Sequence, residues 1–155
     1  MRKTLKQPVP MTRVEQKSFS VYITIERAPD LPGQWEAHCL EVDVITYGNA
    51  PQDALRMIEE ATAMCIVDDL DHDRDPLGHE APDEDWTRLR NLLGEAKKVP
   101  VDTLDGKPPP GAVFVLTLRL KFFREIEVAG PAVELPGWMA KKELVLGMDR
   151  VTAVA

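Results

Sequence analysis

The densest run of chemically capable side chains is Asp69-Leu-Asp71-His-Asp73-Arg-Asp75, followed by Glu80. With Asp69 as the first position, carboxylates fall at positions 1, 3, 5, 7 and 12 of a twelve-residue loop. Hard oxygen ligands at alternate positions, closed by a glutamate at the twelfth, are what a calcium loop requires. Two positions depart from that requirement. Arg74 stands where the sharp turn needs glycine, and Pro76 follows two residues later. A solvated acidic loop therefore outweighs an ordered calcium site built from Asp69, Asp71, Asp73, Asp75 and Glu80.

Other reactive side chains form weaker patterns. His38, His72 and His79 have no zinc-type spacing, and His38 precedes Cys39 on a segment whose alternation sends the two to opposite faces. Cys65 falls on the apolar side of a helical pattern and Cys39 shares a face with Trp35, so both thiols read as packing residues rather than nucleophiles. Asp43, Glu59 and Asp68 are the acids that would have to rebuild a nuclease-type metal cluster, and their spacing supports none. No GxSxG, HExxH or phosphate-cradling glycine loop occurs. The expectation is a chain without catalysis and without a cofactor.

The elements that position these residues are legible from periodicity. Phe19, Val21, Ile23 and Ile25 alternate with Ser20, Tyr22, Thr24 and Glu26, the period of a half-buried strand. Ala28-Pro-Asp-Leu-Pro-Gly33 is a turn, with Gly33 free to take positive φ. Trp35, Ala37 and Cys39 form the apolar face of a second strand, antiparallel to the first, and Val42 to Tyr47 forms a third ending at Gly48. A helix then starts at Ala50-Pro51, with Asn49 as its cap. Leu55, Ile58, Thr62, Cys65 and Ile66 face inward, and Arg56, Glu59 and Glu60 project outward.

Further on, Asp83 caps a second helix, Glu84 to Lys98, striped by Trp86, Leu89, Leu92, Leu93 and Ala96. Val101 to Gly111 is a loop. Val113 to Phe123 is a long strand with Phe114, Leu116, Leu118, Leu120 and Phe122 on one face and Thr117, Arg119 and Lys121 on the other. An uncovered strand of this length invites aggregation, so it joins the N-terminal sheet or pairs across a dimer. Glu125 to Leu135 is its candidate hairpin partner, and Pro136 to Met148 holds one short helix.

The order of three strands, a glycine turn and a helix over residues 18–70 resembles the HicB-like antitoxin family. The residues that carry the resemblance are the Trp35-x-Ala37-x-Cys39 strand and the Gly48-Asn-Ala-Pro-Gln-Asp-Ala-Leu55 entry to the helix. The resemblance implies an RNase H-like fold stripped of working catalytic carboxylates, and hence a binding module. The expected fold is α+β, with a mainly antiparallel sheet: a HicB-like β-β-β-α unit plus an added helix and C-terminal strands. A ribbon-helix-helix, found in many such proteins, needs a short strand followed by two helices. Gly130-Pro131 and Pro136-Gly137 interrupt the segment after the long strand, which disfavours nucleic-acid binding.

Charge sorts the chain into parts. Residues 1–17 hold five Lys/Arg against one acid and read as a flexible basic tail. Residues 18–106 hold seven against twenty, and residues 107–155 seven against five, for a net −7. The expected organisation is a tail at 1–17, the HicB-like unit at 18–70, an acidic loop with the second helix at 71–106, and a β-rich, oligomerising extension at 107–155. The acidic centre suits a basic partner surface, the resemblance implies that the partner is a small RNA-cleaving toxin, and Glu59 and Glu60 are the residues expected to meet it. The second reading is a stand-alone homo-oligomer assembled through strand 113–123. No apolar run is long enough to span a membrane and no secretory h-region follows the basic N-terminus, which together with two unstapled cysteines points to the cytoplasm.

Overall fold

A computed structural model describes residues 12–99, 101–108, 111–127, 139–141 and 151–154. The described residues open on a long strand, β1 (Thr12–Arg27), and continue through β2 (Trp35–Cys39) and β3 (Val44–Gly48) into helix α1 (Pro51–Asp71). A second helix, α2 (Asp83–Glu95), leads to a short strand, β4 (Lys97–Val99), and a 3-10 turn at Val101–Leu104. Strands β5 (Val113–Glu127), β6 (Met139–Lys141) and β7 (Val151–Val154) follow. The strand order is β3-β2-β1-β5-β7-β4, with β6 also on β5, and every pairing is antiparallel. The fold is thus α+β with an antiparallel sheet, as the periodicities imply. No helix of the described residues is long and apolar enough to cross a membrane.

Strand and helix faces follow the side-chain periods. Val21, Ile23 and Ile25 of β1, Trp35, Ala37 and Cys39 of β2, and Phe114 through Phe122 at alternate positions of β5 are all buried on one face of the sheet. Helix α1 covers that face with Ala54, Leu55, Ile58, Ala63, Ile66 and Leu70. Full burial of an aliphatic or aromatic side chain contributes roughly 1.5–3 kcal/mol before chain entropy is counted. Ring contacts tie strands within the sheet: Trp35 of β2 meets Phe114 of β5 at 6.3 Å, and Phe19 of β1 meets Phe122 of β5 edge-on at 5.8 Å. Helix α2 covers part of the opposite face, where Leu40, Ala81, Leu89 and Val115 form a smaller buried cluster with Trp86 and Leu92. Arg88 of α2 makes a bidentate pair with Glu26 of β1.

Several sequence expectations change. Residues 12–17, read as part of a flexible tail, are strand and pair with residues 122–127 in continuous register. Their own sequence has no apolar alternation; β5 supplies the main-chain partners, and Glu15 lies across from Arg124 with a 2.7 Å ion pair. The long strand β5 joins the N-terminal sheet, the first of the two places expected for it, and lies beside β1 in the sheet interior. Helix α2 stops at Glu95, because Lys97 and Lys98 pair with β7 instead of completing a last helical turn. Its Asp83 is the first helical residue rather than the cap, a place taken by Pro82. The Val101 to Gly111 loop contains the 3-10 turn, which buries Leu104 in the main core. Residues 139–141, expected in a short helix, are strand; most of that expected helix, and of the hairpin partner at 125–135, lies outside the described residues.

At the entry to α1, Asn49 does not cap as expected. Its side-chain oxygen accepts from Gln34 Nε2 at 2.7 Å, and Ala50 occupies the cap position. Asp53 compensates by accepting the Asn49 N–H at 3.2 Å, and the Arg56 guanidinium, with this bond second, holds its carboxyl below the usual range. Gly33 takes φ +80 in the turn between β1 and β2, as its position there requires.

Candidate functional site

The acidic run is folded in a way that fills its own centre. Asp69 and Asp71 are still within α1, so the first positions of the would-be calcium loop are helical. The His72 N–H donates to the carbonyls of Asp68 and Asp69 at 3.2 Å, and Asp73 turns the chain in the left-handed region at φ 54. The Arg74 guanidinium then folds back. Its Nε donates to Asp69 Oδ1 at 2.8 Å, and its Nη2 to Asp68. Asp75 accepts the N–H of Leu77 at 3.1 Å within its own turn. The residue that departs from the calcium pattern in the sequence thus supplies a cation of its own to the acids around it. Glu80 lies exposed beyond the loop. Among the described residues, no group of three or more His, Cys, Asp or Glu side chains is placed to hold a metal ion.

The three histidines each meet a different aspartate or its main chain, and the two cysteines are free thiols. His38 meets Asp43 at 2.8 Å, His72 Nδ1 lies 2.7 Å from the Asp68 carbonyl, and His79 approaches Asp69 at 3.5 Å. A shallow groove of about 410 Å³ gathers Asp43, Asp68 and Asp69 with Cys65 and His79. Glu59, the third acid of the nuclease-type set, does not line it. Burial pushes the Cys65 thiol up, and the nearby Asp69 and Asp68 add to the shift, so this sulfur stays protonated. Cys65 is only half-buried, less than its helical position suggests. Cys39 sits in the core with its thiol pushed up to about 12 by burial. Neither thiol has the electropositive surroundings that make a nucleophile.

Helix α1 separates the two acids expected to meet a partner. Glu60 is exposed, but Glu59 is buried at 6% exposure and presents no carboxylate outward. The reason is helical phase. Glu59 lies four residues after Leu55 and three before Thr62, on the edge of the stripe that faces the sheet. The outward stripe instead consists of Met57, Glu60 and Met64, at spacings of three and four. Met57 is 40% and Met64 72% exposed, the latter the highest value among the described large apolar side chains. Sequence periodicity carried this signal, since methionines seven residues apart fall opposite the Leu55–Ile58–Ile66 face.

A buried carboxylate closes the hairpin of β1 and β2. Where β2 ends, Leu40 N–H still donates to the Tyr22 carbonyl at 3.1 Å, and Glu41 turns its side chain in to accept the Tyr22 N–H at 2.6 and 3.0 Å. The carboxylate takes the place of the next ladder carbonyl. Burial raises its pKa to about 7 against the opposing pull of the Tyr22 and Glu41 N–H groups, with a smaller push from Glu80. The sequence offered no sign of this role, since Glu41 stands in a turn among many acids. No family model matches the chain, and neither a curated protein nor a solved structure does.

Proposed function

We propose that this chain is a non-catalytic, protein-binding module of the antitoxin type, docking a small basic RNA-cleaving protein on the outward face of α1. The observation that carries the reading is the exposed stripe of Met57, Glu60 and Met64 on an acidic framework. Flexible, polarizable methionine side chains supply adaptable apolar contact. The surplus of acids over residues 18–106 steers a cationic partner toward the surface and raises the encounter rate. The HicB-like order of β1, β2, β3 and α1 supports the antitoxin part of the reading.

Self-assembly through residues 113–123 is the weaker alternative. β1 runs along the whole of one edge of β5, and β7 and β6 pair with residues 113–115 and 121–123 on the other. A second copy would have to pair through the short stretch between them.

The test compares tagged wild-type chain with Met64→Glu and Glu60→Lys variants in capture from the native organism. The expected result is a stoichiometric small basic protein that cleaves RNA alone and is inhibited by wild type. Met64→Glu should weaken its binding by about tenfold or more, the scale of a truncated interface anchor. A partner that binds all three chains equally would remove this face, and an acidic or inactive partner would remove the function.

A further inference from the structure

Among the described residues, the sheet ends in an edge that carries no guard. β3 is the outermost strand on its side. Val44-Ile-Thr-Tyr-Gly48 contains no proline, lysine or arginine, and its register with β2 is continuous from Cys39↔Val44 to Trp35↔Gly48, without a bulge. Exposed edges are usually blunted by one of these devices. The hydrogen bonds of the neighbouring hairpin fix which groups of β3 are open. Ala28 N–H donates to Gln34 O at 2.9 Å and Leu40 N–H to Tyr22 O at 3.1 Å, so the even-numbered residues of β2 bond to β1. By the alternation of an antiparallel ladder, Trp35, Ala37 and Cys39 bond to Gly48, Thr46 and Val44. The main-chain N–H and C=O groups of Ile45 and Tyr47 then point away from β2, toward the open edge. Their side chains are 45% and 44% exposed, on the face of β3 opposite Thr46, whose hydroxyl donates to Ala54 O of α1.

The charge around this edge selects the occupant. Glu36 lies directly across from Tyr47, and Asp43, which meets His38 at 2.8 Å, leads into the strand. A second copy would bring another strongly acidic unit, seven Lys/Arg against twenty Asp/Glu over residues 18–106, against this one. We infer that β3 accepts a basic extended peptide segment as an added strand, bonded to the main chain of Ile45 and Tyr47, with its lysine or arginine side chains against Glu36 and Asp43. Main-chain bonds supply affinity in such additions, and alternate side chains supply selectivity. The inference goes beyond the α1 face and stands without it, because substitutions at residues 60 and 64 do not touch this edge.

The test uses the full chain and a capped peptide of about eight residues alternating lysine and valine, the length of one added strand. Amide hydrogen exchange is the readout. With peptide, Ile45 and Tyr47 should slow by about tenfold or more, while Val44, Thr46 and Gly48 amides, already bonded to β2, change little. Ile45→Pro deletes an outward N–H at a position where an edge strand tolerates proline. This variant should keep the circular dichroism of the parent and lose binding by about tenfold or more. Binding that leaves both amides unchanged overturns the inference, as does no binding at about 1 mM peptide. Equal binding of a glutamate–valine peptide overturns the charge selection. Slow exchange of the two amides in the free protein, together with a dimer in sedimentation, would assign the edge to a second copy instead.

Discussion

Replacing Glu41 with glutamine isolates the energy of a buried carboxylate that completes a β-ladder. In the folded chain its pKa is raised from 4.5 to about 7. Each pKa unit corresponds to about 1.4 kcal/mol, so the charged form costs at most about 3.5 kcal/mol, and about 2 after allowance for partial solvation. The direction follows from linkage. Between pH 4.5 and about 7 the folded chain keeps a proton that the unfolded chain has lost, so this contribution to stability is fully present below 4.5 and lost as pH rises through 7. The glutamine amide is never charged, and its oxygen still accepts the Tyr22 N–H. Urea unfolding at pH 4 and pH 8 is the assay. Glu41→Gln should match the parent within about 0.5 kcal/mol at pH 4 and exceed it by about 2 kcal/mol at pH 8. That gain corresponds to a rise in Tm of about 6 °C for a chain of this size. Glu41→Ala leaves the Tyr22 N–H without its acceptor and should lose about 1–3 kcal/mol at pH 4, a deficit that shrinks by about 2 kcal/mol at pH 8, where the parent also carries the cost of its buried charge. The reasoning is refuted if the glutamine variant is no more stable than the parent at pH 8, or if its gain is the same at pH 4.

Two substitutions check the packing. A Cβ at Gly48 would lie 2.5 Å from Ala54 N and 2.9 Å from the Asp53 carbonyl carbon, both main-chain atoms that cannot swing aside. Gly48→Ala should therefore shift the start of α1 and lower stability by about 1–3 kcal/mol in thermal or urea unfolding. Leu118 is fully buried in the main core, so Leu118→Asp should unfold the chain, with a loss above about 4 kcal/mol, rather than release a folded monomer from an oligomer. A folded Leu118→Asp monomer, seen by circular dichroism and sedimentation, would contradict the sheet order.

Part of the acidic loop is legible in the sequence alone. Arg74 already argued against calcium at Asp69 and its neighbours, because an arginine cannot replace the glycine of the turn. The structure adds that this arginine binds Asp68 and Asp69. Glu59 was misread because a helical wheel locates the centre of an apolar stripe better than its edges. How wide a stripe is buried depends on how closely the sheet approaches, and α1 packs chiefly on β3 and β2. Glu41 was invisible for a related reason. Only the meeting of a strand's end with a neighbouring N–H turns an ordinary turn glutamate into a ladder acceptor.

By itself the sequence determined which face of each central element is buried. The period of two in β1, β2 and β5, and the helical period in α1, are properties of local geometry and side-chain type. Tertiary structure alone decided the neighbours. Residues 12–17 become strand because β5 offers them main-chain partners about a hundred residues away, and Lys97–Val99 leave the helix for β7 in the same manner. Main-chain hydrogen bonds are nearly indifferent to side chain, so no local pattern records which distant strand will supply them. The same indifference leaves the Ile45–Tyr47 edge open to a strand from outside the chain.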